Sequence, residues 1–235
     1  MSVAPARRRI YVMRHAQVRY FQGVEPEKVE LTGAGRRQAE AAADALRGVR
    51  FDRVVTSGLA RTLETAQIVA RDAEPERRYG LREVESGDIR GLRPEEVQAL
   101  MTTAFRGVVP LEARFLGGES LGTLVDRVAA ELDDLLADES WDVSLLVLHG
   151  AVNRAILSRA VTGERVFLGG FEQAPGCINV LDVDAKGAFV VRAVNHTPYD
   201  PAHVQAPRAT TMELLWEEYL EARKARRVVR RVAGP

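Results

Sequence analysis

The sequence predicts an α/β protein, a three-layer sandwich in which a mostly parallel central sheet is flanked by helices, with a helical excursion at about residues 92–140. Three observations support this class. Short apolar, β-prone runs alternate with segments of helical periodicity. The 235 residues are 46% hydrophobic and 28% charged, as in soluble globular domains that bury a sizeable core. No internal repeat or long low-complexity linker divides the chain.

Each element follows from its local pattern. We expect β-strands where apolar, β-prone residues cluster, at 10–13, 51–56, 143–148, 177–183 and 188–194, the last two forming an antiparallel pair around a turn at 184–187. We expect helices where apolar residues recur at helical spacing, at 32–46, 57–71, 94–105, 119–137, 151–161 and 211–227. Ser57 is the expected cap of the second helix, and Pro94 suits the first turn of the third.

The domain organisation follows from these elements. A single domain is expected over residues 1–210, followed at 211–235 by an amphipathic helix and a basic tail with six positive charges. The apolar stripe of this last helix has two possible roles: it packs on its own domain, or it forms a homodimer contact.

Composition excludes several classes of protein. Lys plus Arg and Asp plus Glu both number 33, so the overall basic bias of a nucleic-acid-binding domain is absent. The lone Cys177 cannot form an intrachain disulfide or a Cys-based zinc cluster. No apolar run approaches the ~20 residues that span a membrane. We therefore expect a cytoplasmic protein without nucleic-acid or membrane partners.

Two histidines follow apolar strands in the same way. Arg14 and His15 come directly after the first predicted strand, and His149 follows the strand at 143–148 and precedes Gly150. Ligands of open α/β sheets gather beyond the carboxyl ends of strands. The helix that begins near Gly150 would also point its amide-rich end at this crevice, which favours an anion. The alternative is that each histidine only caps a loop.

An arginine and a glutamate are weaker candidates on their own. Arg61 lies in the predicted first turn of a helix, where a cation is unfavourable unless an anion sits beside it. Glu83 and Glu85 lie two residues apart in an extended segment, so either could act as a proton donor. The alternative for all three is a solvated surface position.

Together these residues suit phosphate chemistry without a metal or a cofactor. The sequence contains no zinc-binding His-Glu-x-x-His motif and no nucleotide-binding Gly-x-x-x-x-Gly-Lys-Ser/Thr motif. Arginines can then neutralise the phosphoryl charge. A histidine can be the nucleophile if it attacks as the neutral base, and nearby cations lower the pKa of an imidazole.

These motifs resemble the histidine phosphatase superfamily, in its phosphoglycerate-mutase-like branch, over roughly residues 8–195. The matching segments occur in the family's order: Arg14-His15-Ala16, Phe21-Gln22-Gly23, the Leu-Thr-x-x-Gly-x-x-Gln-Ala pattern at 31–39, the segment at 56–66 that contains Arg61, Leu81-Arg82-Glu83, Gly117-Gly118-Glu119-Ser120, and Leu148-His149-Gly150.

The resemblance implies a role for each matching residue. It implies that His15 is phosphorylated during the reaction and that Arg14, Arg61 and His149, with Gly150, bind the phosphoryl group. Glu83 would protonate the leaving oxygen and then activate water, whereas Glu85 aligns with a position that is variably acidic. The expected activity is that of a phosphoric monoester hydrolase, which acts on a small phosphorylated substrate.

The sequence departs from the family pattern mainly next to the nucleophile. Ala16 replaces the usual glycine, and the short stretch at 17–20 lacks the Thr or Ser and the Asn that help to hold phosphate in the family. Arg19 is a candidate substitute. The family's Trp-Glu-Gly is Ile89-Arg90-Gly91 here.

Two alternative functions follow from these departures. One is a phosphoglycerate mutase, although residues 92–118 lack the paired arginines and the proline run of the family's mutases. The other is a degenerate phosphate-binding or interaction module with little turnover, which the missing Thr and Asn groups motivate.

Overall fold

The computed structural model describes residues 7–232, with side chains described for residues 7–225. Its strands are β1 (Arg7–Arg14), β2 (Arg53–Thr56), β3 (Glu76–Arg77), β4 (Val108–Val109), β5 (Val143–Leu148), β6 (Phe167–Leu168), β7 (Ile178–Asp184) and β8 (Phe189–His196). Its helices are α1 (Gly33–Ala45), α2 (Ala60–Val69), α3 (Pro94–Thr103), α4 (Leu121–Ala137), α5 (Gly150–Thr162) and α6 (Thr211–Val232). Within this part of the chain, no helix is both long enough and apolar enough to cross a membrane.

The central sheet has the strand order β3-β2-β5-β1-β7-β8. Strands β1, β2, β3 and β5 are parallel, whereas β7 runs antiparallel to both β1 and β8. The structure thus confirms the mostly parallel sheet and the antiparallel pair near its end. Strand β1 lies between β5 and β7, so the residues that follow it are held at the centre of one sheet edge.

Helices cover both faces of this sheet because its buried strands are apolar on both sides. In β1, Ile10 and Val12 face one core cluster, which contains residues of α4 and α5. Tyr11 and Met13, which alternate with them, face the other cluster, which contains residues of α1 and α2. This alternation with period two gives the three layers that the sequence predicts.

The predicted helical excursion contains α3 and α4, which have different surroundings. Helix α4 contributes buried residues along its length to the main core, among them Leu124 and Leu132. Helix α3 instead packs against α6 in a separate cluster, with Val97 and Met101 opposite Met212 and Trp216. The apolar stripe of α6 therefore packs on its own chain, and its role as a dimer contact remains a prediction.

Helix α2 begins later than the sequence predicts. The expectation that Ser57 caps it is wrong, because the N-cap is Leu59, which makes no side-chain cap hydrogen bond. Gly58 adopts a φ of +81°, which turns the chain between the end of β2 and the helix. Ser57 is therefore left in the loop after the strand, where its hydroxyl is available to other partners.

The predicted basic tail falls partly outside the described side chains. Arg223 and Lys224 are described, whereas the side chains of Arg226, Arg227, Arg230 and Arg231 lie beyond residue 225. A solvated tail and contact with an acidic partner both remain predictions for this segment.

Candidate active site

The ends of two neighbouring parallel strands bring the histidines together. Arg14 in β1 is in register with Leu148 in β5, and the backbone N–H of His15 donates to the Leu148 carbonyl oxygen at 2.9 Å. The ring centroids of His15 and His149 lie 5.3 Å apart, with 64° between their planes. The two strand-end histidines thus share one pocket, as the repeated pattern of strand and histidine predicts.

His15 is held as a neutral imidazole with a defined tautomer. Its Nδ1 lies 2.8 Å from the Ala16 carbonyl oxygen, which can only accept, so Nδ1 carries the proton and Nε2 presents its lone pair. The ring is 1% exposed. Burial holds the pKa of His15 well below the ordinary 6.5, and the charges of Arg61 and Arg14 lower it further.

His149 is also buried and neutral. Its Nε2 lies 2.7 Å from the hydroxyl oxygen of Ser57, the loop residue that precedes α2. Burial, followed by the charge of Arg61, holds the pKa of His149 well below 6.5. Its Nδ1 is buried without a hydrogen-bond partner among the described residues. A bound phosphoryl group could supply that partner.

Each of the two predicted phosphate-binding arginines has an N–H donor that makes no hydrogen bond within the described residues. Arg14 donates to the Gln173 carbonyl oxygen at 2.6 Å, and Arg61 donates to the Pro26 carbonyl oxygen at 2.8 Å. Arg61 is 3% exposed, and the buried Nε atoms of both arginines lack partners in the described part of the chain. Buried unsatisfied cations are costly, so both arginines favour an anion in the pocket.

Glu83 reaches the same pocket from the opposite side. Its Oε1 accepts the backbone N–H of Ala151 at 3.1 Å, at the N-terminus of α5. A Cβ added to Gly150 would lie 3.7 Å from both Glu83 Oε2 and Arg14 Nε. Arg154 Nη1 would lie 3.2 Å from the same Cβ, so the Glu83 carboxylate and the guanidinium groups of Arg14 and Arg154 all lie beside Gly150.

The loop that carries Glu83 is fixed by a residue of α4. Arg127 donates to the carbonyl oxygens of Gly80 at 2.6 Å, Arg82 at 2.7 Å and Glu83 at 3.3 Å. Its Nε also pairs with Glu119 at 2.8 Å. These bonds rigidify the loop and thereby set the position of the carboxylate.

The structure brings together every residue of the predicted site, namely Arg14, His15, Arg61, Glu83, His149 and Gly150, while their chemical roles remain predictions. Glu85 and Arg19, the less favoured donor and the suggested substitute, are exposed. Ala16 does not take a positive φ, so an alanine fits where the family usually has glycine. Its N–H donates to Thr65 Oγ1 at 3.1 Å.

Sequence reasoning missed Ser57 and Tyr20. The Tyr20 hydroxyl lies 3.1 Å from His15 Nε2. Tyr20 is the one aromatic residue of the short 17–20 stretch that follows the predicted nucleophile. This place in the sequence is the feature that could have identified it. Within the side chains that the structure describes, no group of three or more His, Cys, Asp or Glu residues is placed to hold a metal ion.

Comparisons with known proteins show the family and the fold. The sequence profile of the histidine phosphatase superfamily (branch 1) matches residues 10–197. A probable 2-carboxy-D-arabinitol-1-phosphatase of Arabidopsis thaliana is 30% identical over 201 residues, 82% of this chain and 40% of that protein. The chain thus spans two fifths of that relative's length.

A second relative and a solved structure match this chain over most of their own length. Phosphoglycerate mutase-like protein 4 of Arabidopsis thaliana is 32% identical over 166 residues, 64% of this chain and 70% of that protein. The crystal structure of the mycobacterial glucosyl-3-phosphoglycerate phosphatase superposes with a TM-score of 0.67 at 24% identity, covering 80% of this chain and 99% of the other. That structural likeness shows the fold.

Proposed function

Because the chain belongs to branch 1 of the histidine phosphatase superfamily, we propose that it is a metal-independent phosphatase that hydrolyses small phosphomonoesters through a phosphohistidine on His15. The observation that carries this proposal is the state of His15. Its imidazole is neutral, its Nδ1 proton is bound to a carbonyl oxygen, its Nε2 carries the lone pair, and the charges of Arg61 and Arg14 lie close enough to lower its pKa. This is the state that a nitrogen nucleophile needs.

The first step transfers the phosphoryl group to the enzyme. His15 Nε2 attacks phosphorus, and the bond between phosphorus and the ester oxygen breaks. Glu83 gives its proton to the leaving oxygen, while Arg14 and Arg61 hold the phosphoryl oxygens. When the Ser57 hydroxyl donates to His149 Nε2, His149 Nδ1 carries the ring proton and, with the N-terminal amides of α5, can donate to the same oxygens.

The second step releases inorganic phosphate. Glu83, now a carboxylate, takes a proton from water, and the oxygen of that water attacks phosphorus. The bond between phosphorus and Nε2 breaks, which restores neutral His15. One carboxyl group thus serves as acid and then as base, and this requires the fixed position that the Arg127 bonds provide.

Two further observations bear on how and where this reaction occurs. The thiol of Cys177 is not the nucleophile in this proposal, because burial raises its pKa to about 12.

A single buried cysteine also suits a reducing compartment, and we place the enzyme in the cytoplasm on this ground.

The proposal is tested by replacing the nucleophile. We expect His15→Ala to abolish hydrolysis of an aryl phosphate and acid-labile ³²P labelling of the protein. The control is His203→Ala, which changes an exposed histidine and should retain both properties. Full activity in His15→Ala would refute the proposed mechanism. Absence of turnover and labelling in the unmodified enzyme across pH 4–8 would favour a degenerate binding module.

Phosphoglycerate mutase activity is the second candidate, favoured by the likeness to phosphoglycerate mutase-like protein 4. A mutase returns the phosphoryl group from histidine to the substrate instead of to water. Interconversion of phosphoglycerates, measured with and without a bisphosphoglycerate primer, separates the two activities. We expect phosphate release without interconversion.

A further inference from the structure

A tyrosine hydroxyl lies at the nucleophilic atom of the proposed active site. The Tyr20 oxygen is 3.1 Å from His15 Nε2. Because the Nδ1 proton of His15 is bound to the Ala16 carbonyl, Nε2 can only accept, and the phenol must donate. The lone pair that would attack phosphorus is therefore the one that Tyr20 binds, so its hydroxyl lies where a phosphoryl group must arrive.

Tyr20 also lies beside the cation that would hold the phosphoryl group. The guanidinium carbon of Arg61 is 5.6 Å from the centre of the Tyr20 ring, a cation–π distance. The phenol thus contacts both the nucleophile and a phosphate arginine. It also belongs to the short stretch in which the family's polar phosphate ligands are missing, whereas Arg19 of the same stretch is exposed.

The C-terminal helix fixes the backbone of this tyrosine. Glu218 of α6 accepts the N–H of Tyr20 at 2.7 Å and that of Phe21 at 3.3 Å with the same oxygen. The rings of Phe21 and Tyr219 pack edge to face at 5.4 Å. Helix α6 lies beyond residue 197, where the match to the family ends. A segment outside the matched residues thus holds Tyr20 against the nucleophile.

We propose that Tyr20 is a catalytic residue that donates a hydrogen bond to the transferring phosphoryl group, and that Glu218 is the residue that positions it. The inference rests on the proposed function. In the free enzyme the hydroxyl donates to His15 Nε2. When substrate binds, the hydroxyl turns to a phosphoryl oxygen and leaves the lone pair free to attack. No proton leaves Tyr20, so the step changes only its acceptor.

This exchange favours binding because the two acceptors differ. A hydrogen bond to a phosphoryl oxyanion is charge-assisted and stronger than one to a neutral imidazole. The tyrosine therefore gains more from the phosphoryl group than it gives up at His15. A phenol that merely blocked the nucleophile would have the opposite effect on affinity.

The first experiment compares Tyr20→Phe with Tyr219→Phe. Both variants lose one hydroxyl and keep the ring, but the Tyr219 hydroxyl bonds Arg223 and lies outside the pocket. Calorimetric titration with inorganic phosphate and with vanadate should show about tenfold weaker binding for Tyr20→Phe and no change for Tyr219→Phe. The kcat/KM for an aryl phosphate should fall by a similar factor.

Two results would overturn this assignment. Tighter binding of vanadate by Tyr20→Phe would show that the phenol only obstructs the nucleophile. Unchanged binding would show that it does not touch the phosphoryl group. Thermal unfolding of each variant verifies the fold. Should Tyr20→Phe fail to fold, the same titrations on Glu218→Ala decide the question, because Glu218 accepts the backbone N–H of Tyr20 and its replacement leaves the phenol intact.

The second experiment tests the positioning role of Glu218. We expect Glu218→Ala to weaken phosphate binding about threefold and Glu218→Gln, which keeps an acceptor oxygen, to restore most of it. The double variant Tyr20→Phe/Glu218→Ala should bind no more weakly than Tyr20→Phe alone, since Glu218 acts through the tyrosine. Additive losses would overturn the positioning role.

The failure of this inference is distinguishable from failure of the proposed function. The titrations measure binding of phosphate and vanadate and need no turnover. Full hydrolysis by His15→Ala would refute the phosphohistidine mechanism whatever Tyr20→Phe shows. Loss of hydrolysis in His15→Ala, together with unchanged binding in Tyr20→Phe, would refute only the role of Tyr20.

Discussion

Two regions meet at His15 and are built in different ways. The strand-end pocket, formed by Arg14, His15, Arg61, Glu83 and His149, stands on the carboxyl ends of buried parallel strands and on helix N-termini. The helical wall consists of Tyr20, Phe21, α3 and α6. A small apolar cluster holds Phe21, α3 and α6 together, whereas the Tyr20 ring packs against the cluster that contains residues of α1 and α2. The pocket lies within the family match, whereas α6 lies beyond it.

This difference separates the groups that would perform the reaction from the residues that position them. The pocket is tied to the core through the sheet, so a change there disturbs charges and donors that the phosphoryl group needs. The wall contacts the nucleophile through the Tyr20 hydroxyl. The backbone N–H groups of Tyr20 and Phe21 in turn donate to the Glu218 carboxylate. We expect changes in the pocket to cost far more activity than changes in the wall.

The largest effect is expected at the proton donor. Glu83→Gln keeps an oxygen for the Ala151 amide but cannot protonate a leaving group, so kcat should fall by about 10²–10⁴ for an alkyl phosphate. The loss should be smaller for an aryl phosphate, whose leaving group needs less assistance. Glu85→Gln is the matched control in an exposed position and should stay within about twofold. Equal losses in both variants would remove the special role of Glu83.

Arginines from the pocket and from the adjoining loop give the next comparison. Arg61→Ala removes a buried cation that carries an unpaired donor, and kcat/KM should fall by about 10² or more. Arg19→Ala removes an exposed cation from the segment next to the nucleophile and should change kcat/KM less than about twofold. A comparable loss in Arg19→Ala would restore the sequence-based expectation that Arg19 holds phosphate.

The two histidines show how much of the site the sequence can predict. Strand and helix patterns predict Arg14, His15 and His149 at equivalent ends of two strands, because each signal is local, whereas the direct pairing of these strands is seen only in the structure. The sequence also predicts Ser57 as a helix cap, since nothing local shows that Gly58 delays the helix and leaves the hydroxyl to His149.

Tyr20 and Glu218 illustrate the other limit. The Glu218 carboxylate accepts the backbone N–H of Tyr20, so the contact joins residues 198 positions apart. Neither residue belongs to a sequence motif that would predict it. Strand β3, with only Glu76 and Arg77, has no apolar run that would distinguish it from a loop. Such features are set by tertiary packing and not by local periodicity.

A change in the wall alone should affect stability more than chemistry. Met212→Ala removes a side chain that is 8% exposed between α6 and α3, and the free energy of unfolding should fall by about 2 kcal/mol. Denaturant unfolding measures this loss, with Glu217→Ala on the exposed side of α6 as the control. An undiminished stability would show that α6 is not packed on α3 as described.

The last comparison concerns pH and distinguishes the pocket histidines from exposed ones. Folding lowers the pKa of His15 and His149 below the ordinary 6.5, so the unfolded chain takes up protons first as pH falls. Stability should be full above about pH 6.5 and should decrease below it, by up to about 1.4 kcal/mol per pH unit for each histidine. Denaturant unfolding between pH 7 and 5 measures this slope.

Two variants identify the groups responsible for that slope. Replacement of His149 by Gln should reduce it, because one of the two buried imidazoles is gone. His203→Gln, at an exposed position, should leave it unchanged. A slope that survives in His149→Gln and disappears in His203→Gln would contradict the assignment.

The central place of β1 has a consequence for synthesis of the protein. This strand leaves the ribosome before its partners β5 and β7, which end at Leu148 and Asp184. At roughly 5–20 residues per second, the nascent chain waits on the order of ten to thirty seconds before both edges of β1 can be paired. During that time an apolar strand exposes unpaired backbone on both sides, a common cause of aggregation. Slower translation before residue 184 would prolong this exposure, so we expect the yield of folded enzyme to depend on chaperones that bind extended apolar segments.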